Sequence, residues 1–263
     1  VSDLVLSLDY TDPSRNGSAL ADGLDNVARI GMDHVRLKPP GARWADVSAY
    51  VTALLEPVQG RHDDVVLVSH CLSYGLAGEV ARHLERNGCR LRGVVAVDPQ
   101  RPRTERLREA YRMIQRQLPR RVITPESEQV LTAEIADVYA GLGAAVESLT
   151  EPLLAVAREF LDGEQDSGAA DQLVAHYRTW LNYCLACYGG YRTPSPVPVT
   201  VAASAAYQLA DAGLREQLVV SSRCPGDVVG CACLPALVAA VHTGDSPARA
   251  DRHVAAVPGK PAP

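Results

Sequence analysis

Val65-Val66-Leu67-Val68-Ser69-His70-Cys71-Leu72-Ser73-Tyr74-Gly75-Leu76-Ala77-Gly78-Glu79-Val80-Ala81-Arg82-His83-Leu84 is the stretch that decides the fold. Its first four residues form an uninterrupted apolar run, the pattern of a strand buried on both faces. From Tyr74 onward the composition is that of a helix. The five residues between leave room for one tight turn, with Cys71 at its apex. A thiol there sits at a helix N-terminus, which lowers a thiol's pKa and favours the thiolate. The backbone N–H of Leu72 points into the same space and is a candidate donor to an oxyanion. A buried structural cysteine is the alternative.

Working outward, the same alternation recurs. Residues 3–8 read as a first buried strand, 18–30 as an amphipathic helix, 34–38 as a short strand and 45–58 as a helix. Val94-Val95-Ala96-Val97 is another apolar strand, ended by Asp98-Pro99. Strands alternating with helices predict a parallel sheet covered on both faces, with its active site at the carboxyl ends of the strands. Cys71 and Asp98 both fall just past such ends and are expected to share one crevice. Asp98 is the candidate acid that orients a base, and a turn cap is its alternative role.

Residues 101–194 break the alternation. Helices are expected over 104–118, over 126–161 with a break near Gly141 or at Thr150-Glu151-Pro152, and over 169–187. This block reads as a helical lid inserted over the crevice, with 163–168 as a flexible joint. Alternation resumes with a strand over 197–203, a helix over 206–217, a strand over 218–221 and a helix over 234–242. The expected organisation is a core of 1–100 and 195–243, a lid of 101–194 and a disordered tail of 244–263.

A nucleophile and an acid call for a histidine as base, and the stretch after the last expected strand is one place at the carboxyl edge to look for it. The chain there reads Ser221-Ser222-Arg223-Cys224-Pro225-Gly226-Asp227-Val228-Val229, which has none. His70, beside the nucleophile, and His176, in the lid, are the candidate bases. His242 falls at the far end of a helix and His253 in the tail.

The remaining composition bounds the function. The chain has 263 residues, 47% of them hydrophobic, and a net charge of −5, so no global basic field for nucleic acid exists. No apolar run reaches the length of a membrane span. No signal peptide is visible, and a cytoplasmic protein whose seven cysteines are reduced is expected. Cys184-Leu185-Ala186-Cys187 has the CxxC spacing of metal sites, but it lies in a helical segment, and the second grouping (Cys224, Cys231, Cys233) has CxC spacing; no metal is expected. Residues 101–121 hold eight arginines against Glu105 and Glu109. Arg101, Arg103 and Arg106 stand at the front of the lid, where an acidic partner or a phosphate group would dock.

The motif Ser69-x-Cys71-x-Ser73 resembles the G-x-S-x-G nucleophile elbow of α/β-hydrolases, with cysteine for serine and serines for both glycines. Residues 69–85 resemble more closely the G-H-S-x-G-G-x-x-A-x-E-V-A-x-x-L stretch of thioesterases from polyketide and nonribosomal peptide assembly lines. Gly93 to Asp98 resembles the strand and acid that follow it in that family. Ser222-Arg223-Cys224-Pro225-Gly226-Asp227-Val228 resembles its P-G-D-H turn, with Val228 in the histidine position. Residues 4–17 resemble the oxyanion loop, which places Tyr10 as a second backbone donor. The resemblance implies an α/β-hydrolase fold, no resident cofactor, and a substrate delivered on the phosphopantetheine arm of an acyl or peptidyl carrier protein. Cysteine as nucleophile is similar to the Dieckmann cyclases that release tetramic acids, and to aminoacyl shuttles between carrier proteins. Both activities stay open at this point, as does a non-catalytic carrier-binding role. A thioester on Cys71 preserves the activation of the incoming thioester. A carbon flanked by two carbonyls, held against it, needs little further base assistance.

Overall fold

The computed structural model describes residues 3–9, 19–24, 31–41, 43–58, 64–161, 167–204, 218–224 and 233–244. The apolar runs form six strands: β1 (Leu4–Leu8), β2 (Asp33–Leu37), β3 (Asp64–His70), β4 (Arg90–Val97), β5 (Val199–Ser204) and β6 (Leu218–Cys224). They make one sheet in the order β2-β1-β3-β4-β5-β6, and every pair is parallel. Parallel neighbours need crossover connections, which the helices supply. They are α1 (Ala19–Leu24), α2 (Val47–Leu54), α3 (Tyr74–Arg86), α4 (Thr104–Gln115), α5 (Pro125–Thr132), α6 (Ile135–Ala140), α7 (Leu142–Leu161), α8 (Ser167–Gly190) and α9 (Cys233–Thr243).

Side chains alternate across the sheet, so each central strand feeds two cores. Leu4, Leu6, Leu8, Val65, Leu67, Val94 and Ala96 face α2, α3 and the long helical insertion. Val5, Val66, Val68, Val95 and Val97 face Leu20 and Leu24 of α1 and Leu234, Leu237 and Val238 of α9. Strand order, helices on both faces and a tight turn after the central β3 make this an α/β-hydrolase fold, as the sequence predicts.

The insertion between β4 and β5 is not a separate layer. Leu107 and Tyr111 of α4, Leu149 of α7 and Leu181 and Leu185 of α8 belong to the same hydrophobic cluster as the sheet. The segment over 126–161 is three helices: the expected break falls at Gly141, and a second, unexpected one falls at Ala133-Glu134. Pro152 does not break α7. A proline has no N–H for the carbonyl four residues back, here that of Ser148. The Ser127 hydroxyl donates to that carbonyl at 2.9 Å, so the helix passes through. The expected joint at 163–168 and the tail beyond Gly244 lie outside the described residues, except that Ser167 and Gly168 open α8. The helix expected over 206–217 also lies outside them. No helix among the described residues is long and apolar enough to cross a membrane.

Candidate active site

Between the end of β3 and the start of α3 the chain makes a single 3-10 turn, Cys71–Ser73. Cys71 adopts φ 55°, in the left-handed region. A non-glycine residue there costs of the order of 1–3 kcal/mol and persists only where its surroundings over-determine it. The surroundings are visible. Ser73 Oγ accepts from the His70 N–H at 2.8 Å and lies 2.6 Å from the Leu8 carbonyl oxygen and 2.5 Å from that of His70. The Gln100 N–H donates to the Cys71 carbonyl at 3.1 Å, tying the elbow to the loop after β4. The serine that stands in place of the motif's second glycine is therefore a staple, joining the elbow to the end of β1.

Asp98 carries the second such strain, with φ 41° at the end of β4. Its Oδ1 accepts from the Ser204 N–H at 2.7 Å, and its own N–H donates to the Ala202 carbonyl at 2.9 Å. The turn-cap role is thus real. It fixes the carboxylate at the carboxyl edge of the sheet, where its charge acts on Cys71.

The thiol itself departs from expectation. Burial pushes the Cys71 pKa above the ordinary thiol value. The Leu72 N–H, hydrogen-bonded to the sulfur, and the Arg106 guanidinium oppose that rise, while the carboxylates of Asp98 and Asp9 add to it. The helix N-terminus does act in the predicted direction, but desolvation of the thiolate outweighs it. At neutral pH the group is a protonated thiol.

Of the two candidate bases, His70 lies at the site. Its Nδ1 is 3.4 Å from Asp9 Oδ1, and the carboxylate of Asp9 is buried, only 5% exposed. His176 stands away from the site. It sits on the exposed side of α8, 11 residues before Cys187, or about 16 Å along the helix at 1.5 Å per residue. The elbow end of α8 is marked by Cys187, because a Cβ on Gly75 of α3 would fall 2.0 Å from the Cys187 carbonyl oxygen. A helix phase set by burying Tyr177 and Trp180 leaves His176 outside. Tyr10 and Val228 lie outside the described residues.

Sequence reasoning missed Asp9, although it ends the apolar run of β1 as Asp98 ends that of β4. It also missed the buried wall that α8 presents to the elbow. Tyr183 is hydrogen-bonded to the Ser73 side chain, and Cys187 is close enough to Cys71 for their charges to interact. Both groups are held protonated by burial. The arginines divide. Arg103 is exposed just before α4, Arg106 pairs with Glu109 at 3.2 Å, and the Arg101 guanidinium lies 5.9 Å from the centre of the Tyr191 ring.

Among the described residues, Asp3, Asp64 and His242 form the one group with metal-like spacing. They lie at the amino ends of β1 and β3, away from Cys71, and Asp64 is already bound by Arg90 and Arg92. Cys184 and Cys187 are buried free thiols one helical turn apart.

No family model matches the chain, and no curated protein matches it. Solved structures do. One is the Vlm2 thioesterase domain with genetically encoded 2,3-diaminopropionic acid, bound with a dodecadepsipeptide: 16% identity, TM-score 0.43, 96% of this chain and 97% of that one. Another is the RedJ thioesterase from the prodiginine biosynthetic pathway of Streptomyces coelicolor: 18% identity, TM-score 0.41, 92% of this chain and 84% of that one. A third is the NocB thioesterase domain in covalent complex with a fluorophosphonate nocardicin G analogue: 15% identity, TM-score 0.43, 98% of this chain and 96% of that one.

Proposed function

We propose that this chain is a thioesterase-like off-loading enzyme of polyketide or nonribosomal peptide assembly. It takes an acyl chain from a carrier protein onto Cys71 and releases it by intramolecular, Dieckmann-type cyclisation. The observation that carries this reading is the strained elbow: a cysteine at φ 55° whose sulfur meets the Leu72 N–H, beside a second strained residue, Asp98.

The assignment of roles follows. His70, paired with Asp9, takes the Cys71 proton as sulfur attacks the carrier thioester. Alternation of side chains does not separate the two, because the extended backbone ends at His70 and Cys71 is left-handed. The carrier thiolate leaves and recovers that proton. His70 then removes a proton from the carbon between two carbonyls of the bound chain. That carbon attacks the acyl–sulfur carbonyl, the ring closes, and Cys71 leaves as thiolate and is reprotonated. The N–H groups of Leu72 and Tyr10 hold the oxyanion in both steps. Asp98 fixes the crevice and sets its negative field. No resident cofactor enters, since the phosphopantetheine arm belongs to the substrate. The acidic carrier docks on the basic face at Arg103 and Arg106, with Arg101 at its edge.

The test is a carrier loaded with a β-ketoacyl aminoacyl thioester, followed by intact-protein mass spectrometry. An acyl increment on Cys71 and a released ring are expected, and Cys71→Ala should abolish both. His70→Gln should slow the reaction about 100-fold. Undiminished ring formation by Cys71→Ala overturns the proposal. An acyl group that reappears unaltered on a second carrier supports the shuttle instead.

A further inference from the structure

A cavity of about 350 Å³ opens between α3, α6 and the segment joining α8 to β5. Tyr74, three residues beyond Cys71, is the part of its wall nearest the elbow in the chain. The Tyr74 and Tyr191 rings meet edge to face at 6.3 Å, and Ile135 and Val199 extend the apolar lining. The wall is firm. A Cβ on Gly78 would fall 1.9 Å from the Thr193 carbonyl oxygen, so the joining segment is pressed directly against the α3 backbone.

Three charged side chains line this apolar space: Arg101, Arg192 and Glu134. Arg101 lies over Tyr191 at 5.9 Å, and Arg192 over Tyr139 at 5.4 Å. Stacking on a ring orients a guanidinium but leaves its charge and its donors available. Among the described residues none of the three makes an ion pair within 4.0 Å, unlike Arg106, Arg108 and Arg120 of the same basic segment. Two cations and one anion line the cavity itself, and the buried Glu79 carboxylate behind Tyr139 already accepts from that ring's hydroxyl at 2.9 Å. An apolar lining with a few polar groups set in it suits a ligand with an apolar body and one anionic end. A carboxylate meets a guanidinium fork in bidentate geometry.

Resting on the acylation of Cys71, we infer that this cavity holds the far end of the acyl chain, and that this end carries a carboxylate recognised by Arg101 and Arg192. From Cys71 to Gly78 is seven residues, roughly 12 Å along the 3-10 turn at about 2.0 Å per residue and the first turn of α3 at about 1.5 Å. That reach corresponds to a chain of about eight carbons. Arg101 is thereby a specificity residue of the substrate site rather than only the edge of a carrier-docking face.

Two measurements test this on the full chain. In the first, Cys71→Ala protein is titrated calorimetrically with monomethyl suberate and with its neutral amide. The acid should bind at least about ten-fold more tightly, and Arg101→Gln with Arg192→Gln together should erase the preference. In the second, the N-acetylcysteamine thioesters of suberic acid and of suberamic acid are offered to the unmutated chain. Acylation of Cys71 should favour the acid by a similar factor, and the double variant should lose that factor while still accepting the amide. Equal binding of acid and amide, or a preference that survives the double variant, overturns the carboxylate assignment. Acid-selective binding with no acylation by either thioester instead overturns the Cys71 reading and leaves the carboxylate site standing.

Discussion

Cys71 is held in a conformation that an isolated cysteine would avoid, and the residues that hold it are Ser73, Leu8 and Gln100. The conformation presents the sulfur to the Leu72 N–H, yet burial still keeps the thiol above its ordinary pKa. This gives a prediction with a definite sign. Alkylation by iodoacetamide, followed at Cys71 by peptide-resolved mass spectrometry, should be slower at pH 7.5 than that of a thiol in a short peptide. Its rate should keep climbing through pH 9. Arg106→Gln removes a charge that favours the thiolate and should slow the reaction roughly two-fold at pH 8; Asp9→Asn should speed it by a similar factor. A rate that levels off by pH 7 would show instead a thiolate already formed. The places of Cys71 and Asp98 at the carboxyl edge of the sheet were legible in the sequence because each follows an apolar run, Val65–Val68 or Val94–Val97. Asp9 carries the same mark, but a turn-rich stretch follows it and the run before it was read only as structure. The exposed position of His176 on α8 was not legible, because helical composition does not reveal which side of a long helix is buried.

At the scale of elements, the determining contact is α3 against α8. Gly75 and Gly78 let the α3 backbone touch the Cys187 carbonyl and the Thr193 carbonyl. This close approach seats the Tyr183–Cys187 face of α8 over the elbow and closes one wall of the Arg101 cavity. Hydropathy located both helices but could not show that they meet backbone to backbone, since glycine at those positions reads equally as a weak helix former. In the insertion the break at Gly141 was legible, but the continuity of α7 through Pro152 was obscure for a related reason. Pro152 stays within α7 because Ser127, 25 residues earlier, supplies the missing donor to the Ser148 carbonyl. Such non-local hydrogen bonds leave no local trace. The prediction here concerns Gly75→Ala. Helix propensity alone favours alanine by about 1 kcal/mol. A Cβ 2.0 Å from a backbone oxygen must instead displace α8. A net loss of about 3 kcal/mol or more is expected, read as a lower urea midpoint, together with faster alkylation of the uncovered Cys187. An unchanged or raised midpoint would mean that α8 yields freely and that the wall over the elbow is soft.

Across the whole molecule the two ends of the sheet are chemically distinct. The carboxyl edge carries the strained residues Cys71 and Asp98 and the His70–Asp9 pair. Among the described residues the amino edge carries no strained non-glycine residue: Asp64 at the start of β3 binds Arg90 and Arg92 of β4, and His242 of α9 lies 3.1 Å from Asp3. Strain at one edge is compatible with a stable fold if the other edge fastens the same strands in register, and β3 and β4 are the two strands that bear Cys71 and Asp98. Asp64 should therefore contribute stability and nothing to the chemistry. Hydrogen bonds from the two guanidinium groups hold its carboxyl well below the usual carboxylate range. Because the folded value is depressed, the stabilisation is fully present above about pH 4, where an unfolded aspartate is ionised, and fades as the pH falls from there through the folded value. Asp64→Asn should thus lower the urea-unfolding free energy by roughly 1–3 kcal/mol at pH 7. The deficit should shrink steadily below pH 4, where the parent chain loses the same interaction. Cys71 alkylation should be unchanged in the folded variant at every pH. A deficit that stays constant into acid would assign the loss to packing rather than to the carboxylate. A change in Cys71 reactivity would show that the two edges of the sheet are coupled.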